Sequence, residues 1–196
     1  MTLANGRLPV VVLLALALAS CGTSDKNQQP AFVSSALENG VSTTKAFPVG
    51  DKQHFIEFRS RYALSYGHSY VIFGRVNKAG AMVNPEVAGL APASTSTTPY
   101  VMGHFVPVPA ETGWSDGDLE EAYRSASWRI MLTDAEYKEV VASIRKLQAS
   151  SPVWHASLYN CNAFVADIAR SMGYKAPGIW LRPQQFITKL REMNGG

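Results

Sequence analysis

The hydrophobic pattern of this chain changes period near residue 133, and that change constrains the class of fold. Upstream, His54-Phe55-Ile56-Glu57-Phe58, Tyr62 to Tyr66, and His68 to Asn77 mix aromatic and β-branched residues with polar ones, the composition of strands. Lys78-Ala79-Gly80 supplies a turn, so Ala81 to Leu90 is expected to return antiparallel. Ala93 to Thr98 is a loop by composition. Tyr100 to Val108 reads as a further strand, ending at Pro107 and Pro109. Glu111 to Gly117 is a polar turn region, Leu119 to Tyr123 a short helix, and Ser127 to Leu132 alternates like an edge strand. Then the period lengthens. Thr133 with Glu136 forms a capping box, Leu132 and Tyr137 the matching staple, and Val140, Val141, Ile144 and Leu147 continue an apolar stripe to about Ala149. A helix beginning at Cys161 carries Phe164, Val165, Ile168, Ala169 and Met172 on one face and stops at Gly173. Pro183 opens a last amphipathic helix bearing Phe186, Ile187 and Leu190. Strands first and helices after predict an α+β fold: a small antiparallel sheet or partial barrel packed against helices.

The first residues do not belong to that fold. Arg7 precedes an apolar run from Leu8 to Ala19, which is too short to span a bilayer and has the layout of a secretory leader. Leu18-Ala19-Ser20-Cys21 resembles a bacterial lipobox, which implies that residues 1–20 are removed and that Cys21 is acylated. Gly22, rather than Asp, at the next position resembles outer-membrane sorting, with the domain facing the periplasm. Residues 21–50 read as a lipidated N-terminus and flexible tether, in which Ala31-Phe32-Val33 is a candidate for packing, and 51–196 as one domain. Loss of Arg7 with the leader lowers the formal net charge from +3 to about +2. With no run of like charge, nothing argues for nucleic acid. The domain is expected to be a monomer whose partners are the bilayer, through acylated Cys21, and its substrate.

If Cys21 carries lipid, Cys161 is the one free thiol of an exported domain, a liability in an oxidising compartment unless it is buried or used. Its place in Tyr159-Asn160-Cys161-Asn162-Ala163-Phe164 favours use. Unsatisfied amides and the positive end of the helix dipole both stabilise thiolate over thiol. Such a nucleophile needs a base, and the base an orienting group. Of the four histidines, His155 is a near neighbour in the chain, His104 falls within an expected strand, and His54 on a first strand is free to face solvent. His68, in Gly67-His68-Ser69-Tyr70, heads the most apolar strand, a rigid element able to aim an imidazole.

A His at the head of an apolar strand, followed much later by Asn-Cys-x-x-Phe at a helix start, resembles the circularly permuted NlpC-type papain fold. That group includes the lecithin:retinol acyltransferase-like proteins and related bacterial hydrolases. The likeness covers roughly residues 62 to 175. It implies Cys161 as nucleophile, His68 as general base and an orienting group on the strand after the His strand. If Asn77 pairs with Ala81, Glu86 faces Ile72 and Asn84 faces Gly74, both on the His68 face. A carboxylate stabilises the imidazolium, which favours Glu86, with Asn84 and His104 as alternatives; a one-residue slip would turn Glu86 away. No His follows at this place, a departure from the acyltransferase branch.

The chemistry implied is acyl transfer through a thioester. It needs no cofactor, and the scattered histidines lack zinc-ligand spacing. The expected substrate is an amide or ester of envelope material, either a peptidoglycan peptide or a lipid or N-acyl amide. Trp154, Trp180 and Tyr100 are candidates either for an acyl groove or for the core. The competing expectation is a non-catalytic envelope lipoprotein that uses the same fold as a binding or structural module.

Overall fold

Two strands rich in buried aromatic residues, β1 (His54–Arg61) and β2 (His68–Val76), form the centre of a four-stranded antiparallel sheet of order β3-β2-β1-β6. Its outer strands are β3 (Met82–Gly89) and β6 (Arg124–Leu132). This computed structural model describes residues 52–63 and 66–196; the leader, Cys21 and the tether lie outside the described residues. β1 runs unbroken to Arg61, so the Tyr62 end of the second expected strand lies beyond it. A second small sheet joins β4 (Ala91–Pro92), β5 (Val108–Glu111) and β7 (Val153–Trp154). The fold is α+β.

Alternation along the strands sorts their side chains to two faces. Ile56, Phe58, Val71, Phe73 and Ala88 point to a core shared with α2 (Asp134–Ser150), α3 (Cys161–Ser171) and α4 (Pro183–Met193). Phe55, Tyr70, Ile72 and Val87 point the other way, against Leu119 and Trp114. The capping box of α2 forms as the sequence predicts: the Thr133 side chain accepts from the Glu136 amide, and Glu136 Oε2 accepts from the Thr133 amide at 2.7 Å. The predicted short helix is a 3-10 turn, Glu121–Tyr123.

Two sequence expectations change. Tyr100 to Val108 is not a strand. Pro99 starts α1 (Thr98–Met102), because its fixed φ suits a first helical turn and its missing N–H costs nothing there. The Trp154 ring lies so close over Gly103 that a Cβ would come within 2.3 Å of it, which fixes the chain reversal after α1.

The second change is in the β2–β3 hairpin, which begins in the predicted register. Val76 pairs with Met82 and Arg75 with Val83, while the Asn77 side chain accepts from the Ala79 and Ala81 amides at 2.9 Å each. Beyond Gly74 the pairing shifts by one, so that Phe73 faces Glu86 and Ile72 faces Val87. The irregularity centres on Asn84, whose φ of 44° is left-handed, and on Pro85, which cannot donate to the ladder. Gly74 accepts the extra residue: a Cβ there would stand 3.3 Å from Pro85 Cα. This bulge decides where Glu86 points.

Candidate active site

Cys161 occupies the first position of α3, and the helix is held in place by the two asparagines beside it. Asn160 is the N-cap; its Oδ1 accepts from the Ala163 amide at 3.1 Å, and its amide group donates to Ala156 O at 2.8 Å and Ile179 O at 3.2 Å. Asn162 donates to Ile179 O at 3.0 Å and Leu181 O at 2.8 Å, and accepts from the Ser69 hydroxyl at 2.8 Å. Both are buried, yet their hydrogen-bonding groups are well satisfied, as buried amides require. They tie the start of α3 to β2, to the turn at 155–159 and to the loop at 179–181. The sequence reading quoted both asparagines as part of a motif but missed this role. The available signal was two amide side chains at the start of an otherwise apolar helix.

β2 brings His68 to the same point. The His68 imidazole comes close enough to the Cys161 thiol to stabilise its thiolate. Nε2 of His68 is buried and has no hydrogen-bond partner among the described residues. Burial pushes the thiol pKa up. Hydrogen bonding to His68, its positive charge, and the hydroxyl and amide of Ser69 together outweigh burial, so the thiol is held below the ordinary cysteine range. The Ser69 hydroxyl has one proton and also serves Asn162 Oδ1, so the amide is the steadier donor. At the start of α3 the Cys161 and Asn162 amides lack intrahelical acceptors and can serve an oxyanion.

Stacking orients the imidazole. The His68 and Tyr70 rings are 5.7 Å apart with an interplanar angle of 11°. Tyr70 is itself fixed, because its hydroxyl donates to Asp118 O at 2.8 Å and Arg61 Nε donates to Asp118 Oδ1 at 2.6 Å. Beside Nε2 there is backbone: a Cβ on Gly89 would stand 3.0 Å from it.

Glu86 is not brought to the dyad. The bulge turns it to the helix side of the sheet, where it forms an ion pair with Arg145 of α2, whose guanidinium lies over the Phe73 ring. Asn84, the alternative, is spent on the bulge. The other histidines have local tasks. His104 Nδ1 donates to Tyr100 O at 2.8 Å, and the ring packs on Trp154 rather than against His68. His155 Nδ1 accepts from the Ser157 amide at 3.2 Å, closing a turn. His54 lies 3.0 Å from Asp134 and stacks on Tyr137. Since Glu86 and the dyad are separate, Glu86→Gln is expected to change the alkylation rate of Cys161 by less than about twofold, measured by intact-protein mass with iodoacetamide.

A cleft of about 90 Å³ beside the dyad is lined by Arg61, Tyr62, Tyr66, Gly67 and Arg182 among others. A larger depression of about 460 Å³ runs along α4 from Leu181 to Glu192, and neither cavity is lined by Cys161 or His68. The small cleft is the nearer to the dyad: Gly67 adjoins His68 in the chain, and the pKa of the Tyr66 hydroxyl, pushed up first by burial, is pushed up further by the Cys161 charge. Among the described residues no group of three or more His, Cys, Asp or Glu side chains is placed to hold a metal. Comparison with protein-family models, curated proteins and solved structures gives no match.

Proposed function

We propose that this protein is a lipid-anchored thiol hydrolase or acyltransferase that cleaves an amide or ester bond in bacterial envelope material. One observation carries the reading: a buried Cys161 on the first turn of a helix, beside His68 and held below the usual thiol range despite burial. Burial alone makes a thiol inert, so a depressed value in a buried site signals activation. The chain order, His strand before Cys helix, supports assignment to the permuted papain-like group.

In the proposed reaction the Cys161 thiolate attacks the carbonyl carbon, while first-turn amides of α3 receive the developing oxyanion. The C–N or C–O bond breaks as the His68 imidazolium gives its proton to the leaving nitrogen or oxygen, leaving a thioester on Cys161. Water, or an acceptor amine, loses a proton to His68 and attacks the thioester. The acyl product departs and the thiolate–imidazolium pair is restored. Lipid on Cys21 would place this chemistry at the membrane, facing the periplasm.

A second reading, a non-catalytic module with the same fold, is favoured by His68 Nε2, which has no hydrogen-bond partner among the described residues. Turnover separates the two. Muropeptides and N-acyl amides are incubated with the protein and with Cys161→Ala, and products are followed by mass spectrometry. The enzyme reading expects release from one substrate class and a loss of at least about 10³-fold in the variant. Equal turnover by both proteins, or by neither on any substrate, favours the module.

A further inference from the structure

The apolar candidates Trp154, Trp180 and Tyr100 divide in the structure, and their division reveals a surface. Trp154 is buried, whereas Trp180 is 74% exposed, and it is joined at the surface by Phe105 at 76%, Leu158 at 71% and Val101 at 60%. The indole N–H of Trp180 donates to Ser157 O at 3.0 Å, so the polar edge of the ring is satisfied internally while its apolar face meets solvent. The segments bearing these residues are fastened together. The Ala156 amide donates to Gly103 O at 2.9 Å, and Trp154 packs edge-on against Tyr100 and His104. Two of them flank the thiol: Leu158 is on the turn before Cys161, and the Asn160 and Asn162 side chains hold the carbonyls on either side of Trp180.

In this chain 17% of residues are charged, yet residues 93–110, 151–166 and 176–181 contain no Asp, Glu, Lys or Arg. The nearest charges to Trp180 along the chain are Lys175 and Arg182, both basic. We infer that this uncharged rim docks on the surface of an anionic bilayer, so that the Cys161–His68 mouth opens against the membrane to which the chain is tethered. The inference rests on the anchored-hydrolase reading above and adds to it the face by which the domain meets the lipid.

A bilayer suits the patch for three reasons. Large apolar side chains projecting from separate turns, with tryptophan among them, match the interfacial zone of a membrane, where single rings insert between headgroups. The segments that carry these apolar side chains hold no ionised side chain of their own, so they enter that zone without desolvating one. The flanking Lys175 and Arg182 meet anionic headgroups. The geometry of the tether permits it. His54 is at the far end of β1 from Arg61, which pairs with His68, so the chain enters the domain about 25 Å from the mouth. The roughly 30 residues between Cys21 and His54 have a contour length on the order of 100 Å, well above that distance. Anchor and mouth can therefore touch the same bilayer, and tethering makes a weak patch dock by raising its effective concentration.

The test uses the full-length lipidated protein in phosphatidylethanolamine–phosphatidylglycerol vesicles, with and without bromine on the acyl chains. Vesicle flotation reports the anchor, and iodoacetamide labelling of Cys161 at pH 6 reports the thiol, each independently of docking. Docking predicts that bromination lowers tryptophan emission by up to about a quarter, the share of one inserted indole among four. Trp180→Phe removes most of that loss, and Phe105→Ser with Leu158→Ser at least halves it, while flotation is unchanged. Floating protein with no bromine quenching overturns the docking and leaves the anchor and the thiol standing. A blue shift that grows with protein concentration and ignores bromine assigns the surface to a second copy, which also overturns it. Protein that does not float removes the anchor, and the tethered docking falls with it whatever Cys161 does.

Discussion

Replacing His68 with alanine is expected to lower the ratio of Cys161 alkylation rates at pH 6 and pH 9 by at least about tenfold, because the thiol reverts toward or above its ordinary pKa near 8.5. The ratio is the proper observable. Cys161 is buried, and removing an imidazole beside it opens space, so absolute rates carry an accessibility factor that cancels between the two pH values. His68→Gln, closer in size, is expected to give the same loss with less change in access. Two contributions lower the thiol pKa against burial, His68 and Ser69, and only the first is removed here. A ratio that survives both substitutions would assign the activation to Ser69 and the helix start, and would remove His68 from the mechanism.

The largest effect on stability is expected at Glu57, on the sheet face opposite the helices. Its carboxylate accepts from Arg59 Nε at 2.7 Å and from Arg129 Nε at 2.5 Å, and Arg59 also reaches Glu121. Glu57 and Arg59 are both almost wholly enclosed. Glu57→Ala leaves the Arg59 guanidinium buried without its main partner, which costs about 3–5 kcal/mol, measurable by urea unfolding. Replacing both, as Glu57→Leu with Arg59→Met, is expected to cost less than the single change, because no uncompensated charge remains. Burial pushes the Glu57 carboxyl up, but Arg59 and Arg129 outweigh it and hold it below the ordinary value. A depressed folded-state pKa contributes stability that is complete above the unfolded value near 4.3 and is lost as pH falls through the folded value. Stability should therefore decline below about pH 5 in the native chain and decline less steeply in Glu57→Ala. Equal slopes would show that other carboxylates govern acid unfolding.

Most of the scaffold was legible because its signals are local. The Thr133–Glu136 box, the Pro183 start and the apolar stripe after Cys161 each specify an element within a few residues. The Cys161–His68 pairing was legible as well, since both positions head strongly patterned elements. What failed depended on a single residue of register or on a distant neighbour. The hairpin began as expected at Asn77 and Ala81, and the bulge at Asn84 then moved Glu86 to the other face. Alternation cannot signal an inserted residue; the Asn84-Pro85 pair was the available warning, since proline does not sit in an undisturbed ladder. Tyr100 to Val108 had strand composition, but Pro99 and the Trp154 ring above Gly103 made it a helix and a turn. Stacking of Tyr70 on His68 has no sequence signature beyond the spacing of two on one strand.

His68 and the start of α3 are expected to make Cys161 a thiolate at a pH where ordinary thiols are protonated. The most direct test is the pH dependence of Cys161 alkylation by iodoacetamide, followed by intact mass from pH 4 to 9.5 in the native protein and in His68→Ala. The predicted result is a native midpoint well below the ordinary value of about 8.5, which moves to or above that value in the variant. A native midpoint at or above about 8.5, unmoved by the substitution, would contradict it.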